Sequence, residues 1–124
     1  MSKTNTLREL IQSKLSEVVS NCWFETADDE NMYPHIVWNL KRVNTGDLHR
    51  DDIYLDVDIW DRGASADNVE DYADAVEAKL KTQNLPQATI LPTFFLDGRQ
   101  SIEDSDKMIK HRLVTFIIQN YEVV

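Results

Sequence analysis

Asp56 and Asp58 stand two residues apart in the run IYLDVDIW, residues 53–60. Residues two apart on a strand share a face, so this spacing sets two carboxylates side by side. Such a pair can hold a divalent cation or divide acid and base roles. Either use calls for a further acid, a histidine or a basic partner close by. Glu77-Ala78-Lys79 fits the E-x-K piece of metal-dependent nucleases, but a polar helix face carries the same residues. His35, His49 and His111 lie far apart and form no H-x-x-x-H or H-E-x-x-H arrangement. Cys22 is the one cysteine, which leaves no internal disulfide and no cysteine metal cage. With no activating neighbour it reads as a small buried apolar residue. The three glycines build no phosphate cradle, and no serine has a G-x-S-x-G setting. A structural or binding role is therefore favoured over an enzyme, with no catalytic residue, metal or cofactor expected. A solvated or partner-facing surface is the default reading for Asp56 and Asp58.

The elements around these residues follow from hydrophobic period. Leu7, Leu10, Ile11, Leu15, Val18 and Val19 recur at helical spacing and predict a helix over 4–20, stopped at Asn21. Trp23 and Phe24 suggest a short strand. The acidic run Asp28-Asp29-Glu30 and the Tyr33-Pro34 pair mark a loop. HIVWNLKRV, 35–43, and residues 52–60 read as strands, joined by the long polar connection NTGDLHRDD as an extended hairpin. In the second strand Ile53, Leu55, Val57 and Ile59 face the core, and Tyr54, Asp56, Asp58 and Trp60 the other side.

Ser65 is a good N-cap, with Asp67, Glu70 and Asp71 in the first turns and Lys79 and Lys81 in the last. Val69, Tyr72, Ala73, Val76 and Leu80 then give a helix over 66–82. TFFLDGRQSI has strand propensity broken at Asp97-Gly98, by a tight turn or a bulge. KHRLVTFIIQNYEVV gives a long strand over about 109–122. It is apolar on both faces, with Val114, Phe116 and Ile118 opposite Leu113, Ile117 and Tyr121. Such a strand is central in a sheet or covered from outside the monomer. The expected fold is α+β: a mainly antiparallel sheet with two helices packed on one face, in the order α-β-β-β-α-β-β. Trp38 shares a face with Ile36 and Leu40 and reads as core. Trp60 reads either as an interface anchor or as cover for the core's edge.

The chain has 124 residues, 42% hydrophobic and 28% charged, which suits one globular domain over 1–124. No apolar run reaches the ~20 residues of a membrane span, and MSKTNTLREL lacks the apolar core of a secretory signal. A lone cysteine fits a reducing cytoplasm. The formal charge of −9 argues against tight nucleic-acid binding. The same sign suits a surface that lets nucleic acid pass.

The sequence resembles the tail terminator, or tail-completion, proteins of long-tailed phages and prophages. The likeness rests on the helix-first layout, the Y-P-H-I-V-W run at 33–38, and the Asp-Val-Asp-Ile-Trp strand leading into ASADNVEDYADAVEAKL. The bent FFLDGRQSIED and the terminal RLVTFIIQNYE complete it, so it covers nearly the whole chain. The acidic segment 25–32 departs from the commoner pattern. The resemblance implies a head–tail joining protein, weakly associated in solution and hexameric on the tail. There it would stop tube polymerisation and offer a surface to the head's connector or neck protein. It implies assembly in the host cytoplasm, a final place in the virion, and DNA passing through without tight binding. The partner-facing residues expected are Asp56, Asp58 and Trp60; Asn44, Asp47, Leu48, His49 and Arg50 in the polar connection; and Asp97 and Arg99 at the bend. A head-completion or neck protein, or a small acidic cytosolic binding module, is the alternative.

Overall fold

The computed structural model describes residues 3–43, 50–80 and 89–122, the side chains of 42 and 43 excepted. The elements run α1 (Lys3–Ser16), β1 (Cys22–Phe24), β2 (His35–Val43), β3 (Arg50–Arg62), α2 (Asp67–Leu80), β4 (Ile90–Ile102) and β5 (Ile109–Glu122). This is the expected α+β order. The strands form one sheet in the order β1-β2-β3-β5-β4.

All pairings are antiparallel except β1 with β2, which is parallel. Because β5 is antiparallel to both neighbours, β3 and β4 run in the same direction with β5 between them. α2 is thus the crossover of a split β-α-β unit, and parallel strands require such a long connection.

α1 ends at Ser16, four residues before the expected helix end at 20. Glu17 and Val18 donate to the carbonyls of Lys14 and Leu15 three residues back, tightening the last turn. Val19 stays in the core at 4% exposure although it has left the helix. Asn21 donates instead to the Pro34 carbonyl and ties the post-helix turn to the start of β2. α2 begins as expected: Ser65 Oγ accepts from the Asp67 amide at 3.1 Å.

Both helices cover the same side of the sheet. Leu7, Ile11 and Leu15 of α1 and Val69, Ala73, Val76 and Leu80 of α2 are wholly buried. They meet Leu55, Val57 and Ile59 of β3, Phe94 of β4, and Val114, Phe116 and Ile118 of β5. Fully burying each large apolar side chain contributes about 1.5–3 kcal/mol. Trp38 joins this core, and its indole N–H donates to Gln12 Oε1 at 2.9 Å.

Asp97-Gly98 is a bulge rather than a turn. The register passes from Leu96↔Phe116 to Gly98↔Thr115, so Asp97 is the extra residue and β4 continues to Ile102. Pro92 sits on this edge strand, where a missing N–H costs no ladder bond.

Candidate assembly interface

The sheet face away from the helices carries the functional candidates. Register sets its layout. Across β2, β3 and β5, His35 pairs with Trp60 and Trp60 with His111. Their rings stack: His35 lies 4.8 Å from Trp60 at 23°, and Trp60 lies 4.2 Å from His111 at 22°. Tyr33 and Trp23 lean on His35 from its other side, at 5.2 and 5.9 Å. Trp60 is therefore the centre of an aromatic row.

Asp58, one step along the face, lies 2.7 Å from His111 Nε2. Asp56 lies 3.3 Å from the Lys41 ammonium. Asp52, further along, is 3.2 Å from Arg50. Asp56 and Asp58 thus do not share a partner. Each has its own cationic or imidazole neighbour. Among the described residues no three His, Cys, Asp or Glu side chains gather as a metal would require.

Toward the other end the face turns apolar. Tyr54 pairs with Ile117 and Ile117 with Phe95, while Tyr121 pairs with Leu91. Tyr54 is 40% exposed, Leu91 39%, Phe95 46% and Tyr121 38%. These side chains fall in two rows of the open face, with the polar row Asp52, Gln119 and Thr93 between them, and exposed apolar side chains grouped in this way on a sheet face mark an interaction surface.

The other expected partner residues separate. Asn44, Asp47, Leu48 and His49 lie outside the described residues. Arg50 belongs to β3. Asp97 is exposed at the bulge, where it accepts from Thr115 Oγ1 at 3.5 Å. Arg99 is turned to the helix side, where it binds Glu70 at 3.1 Å, Asp74 at 2.6 Å and Glu77. Arg112 joins Glu70 from β5. Glu77 of the E-x-K piece is thus a clamp partner, and Lys79 pairs with Glu17 at 3.1 Å. Cys22 is buried, and burial pushes its thiol from an ordinary 9.0 up to about 12. The meeting of His35 and His111 on Trp60 escaped the sequence reading, because their separation conceals a shared register position.

No curated protein matches the chain at a significant level. Among solved structures, a chain from "Virion of native gene transfer agent (GTA) particle" superposes with a TM-score of 0.71 at 9% identity. The match covers 91% of this chain and 92% of that one, and it shows a shared fold. The family profile described as tail completion protein gp17 matches residues 7–119. With this match spanning nearly all of the sheet and both helices, the chain belongs to the tail completion protein gp17 family.

Proposed function

We propose that this protein is a tail terminator: a structural, non-enzymatic subunit that forms a ring, six-membered in the resembling family, on the finished tail tube. The ring stops polymerisation and presents the surface that receives the head's connector. The observation that carries the reading is the exposed apolar set of Tyr54, Leu91, Phe95 and Tyr121 on a sheet whose other side packs against both helices. An isolated subunit leaves that patch in water, and a neighbouring subunit or the tube would cover it. The chain's charge of −9 supports a lumen through which DNA slides without adhering. It also opposes self-association at low ionic strength, so rings form on a tube template and more readily in salt.

Electron microscopy of purified tail tubes mixed with the protein tests this. Rings at one tube end and a fixed tube length are expected. Tubes that continue to grow, with no density at their ends, would refute the assignment.

A further inference from the structure

Beside the aromatic row is a cavity of about 400 Å³, between residues 25–33, β2, β3 and the turn before β5. Its polar wall is made of Glu25, Glu30, Tyr33, His35 and Asp104, set against Trp60. No lysine or arginine is among the described residues that line it. Nor do Glu25, Glu30 or Asp104 make a salt bridge among the described residues; Asp104 Oδ1 accepts the Asp106 amide at 2.9 Å. Glu25 holds a φ of 69°, the left-handed region that a non-glycine residue keeps only when its surroundings impose it.

His35 supplies an independent observation. It is 4% exposed. Its Nδ1 lies 2.8 Å from the Met32 carbonyl oxygen. A carbonyl can only accept, so the proton is on Nδ1 and Nε2 is a bare acceptor. Nε2 has no hydrogen bond among the described residues. Three carboxylates and the buried His35 ring therefore line the cavity, with no cation among the described lining residues to meet them.

We propose that this cavity seats the guanidinium of an arginine side chain presented by another tail protein. Guanidinium is planar, always charged and purely a donor, the complement of an acceptor-lined slot with an aromatic wall. The chain's own described arginines are already engaged. Arg8 lies over the Phe24 ring, Arg50 pairs with Asp52, Arg62 with Asp106, and Arg99 and Arg112 hold α2. A different protein is thus the better source of the ligand. The inference rests on the assembly reading for that source alone.

Titration of His35 would switch the site. Burial holds its pKa below the ordinary 6.5, against the opposing pull of the Met32 bond, Glu30 and Asp29; His111 adds to the lowering. The rings of Trp23, Tyr33 and Trp60 complete its surroundings. Neutral at pH 7, it accepts; protonated in acid, it repels the guanidinium.

The test is titration of the full chain with agmatine, using butylamine and acetate as controls, followed by NMR of the His35 imidazole. A saturable shift at Nε2 is expected, with a Kd on the order of 10 mM for so small a ligand. Glu30→Gln and Asp104→Asn, both at exposed positions, should each weaken it roughly threefold through loss of a charged acceptor. Binding should fade with acidification. No saturable shift, an equal response to butylamine, or full affinity in both variants would overturn the proposal. Self-association of the chain that Glu30→Gln weakens would put a second copy's side chain in the cavity and overturn the assignment to another protein. Agmatine binding is read without any tail present, so its failure is distinct from failure of the terminator reading.

Discussion

His111 donates from Nε2 to Asp58 Oδ1 at 2.7 Å while its ring lies on Trp60 at a centroid distance of 4.2 Å. One side chain thus joins the charged step of the open face to its aromatic row. Asp58→Asn keeps an acceptor oxygen and removes only charge, so its cost should stay within about 1 kcal/mol. His111→Ala uncovers Trp60 and leaves Asp58 without its partner, and about 1.5–3 kcal/mol is expected. Urea unfolding of the two variants measures the difference. Equal losses would mean that the contact with the Asp58 carboxylate, not the stack, dominates.

Arg99 binds three acids of α2 from the edge strand. Its side chain is 24% exposed and its partners range from 18% to 70%, so solvent screens much of the attraction. Arg99→Ala should cost about 1–2 kcal/mol and Arg99→Lys about half of that, since lysine keeps the charge but not the fork. High salt should narrow the gap between wild type and Arg99→Ala. A gap that ignores salt would point to lost packing of the arginine stem.

The placement of Arg99 shows where the sequence was legible and where it was not. β2 and β5 are legible at their observed limits because each is a long run rich in β-branched and aromatic residues bounded by polar segments. Trp38 was read as core from its neighbours Ile36 and Leu40. Simple alternation along β4, however, puts Arg99 on the same face as Phe95. The bulge inserts Asp97 and reverses the parity, so Arg99 reaches the helices instead. The Asp-Gly pair signalled an irregularity but not its kind. The parallel pairing of β1 was equally hidden, since three residues carry no direction signal. The His35–Trp60–His111 row depends on register across three strands, which only the assembled sheet fixes.

Cys22 supplies a pH prediction. Its folded pKa of about 12 lies above the ordinary 9.0 because burial disfavours the thiolate. The folded state therefore holds the thiol proton more tightly than the unfolded state. Its contribution to stability is complete below pH 9 and declines as pH rises toward 12. Cys22→Ala should flatten that alkaline decline. In the native wild type, a maleimide at neutral pH should react only as fast as the chain opens. Rapid labelling of folded protein would contradict the burial.

Asn120 is wholly buried on β5, with neither amide atom hydrogen-bonded among the described residues. A buried amide without partners costs about 1–3 kcal/mol. Asn120→Leu, close in shape and apolar, should raise stability by roughly 1 kcal/mol, and thermal unfolding would show it. A loss of stability would indicate that the amide has a bound water as its partner.

Phe95 is the most exposed large apolar side chain of the open face, at 46%. Because much of it already contacts water, Phe95→Ser should change folding stability by little more than about 0.5 kcal/mol. Its effect should fall on association. The apolar patch is flanked by charges that are locally balanced: Asp56 by Lys41, and Asp52 by Arg50. A neighbouring protein can therefore approach this face despite the chain's overall −9. Phe95→Glu breaks that balance and should abolish tube capping, whereas Phe95→Ser should weaken it and Phe95→Leu should preserve most of it. Asp56→Asn with Asp58→Asn should alter the salt dependence of capping rather than its existence, because those acids are already matched on the free subunit. Electron microscopy of tubes with each variant, alongside thermal unfolding, separates folding from assembly. Normal capping by Phe95→Glu would show that the partner sits elsewhere on the molecule and that the patch is not the contact.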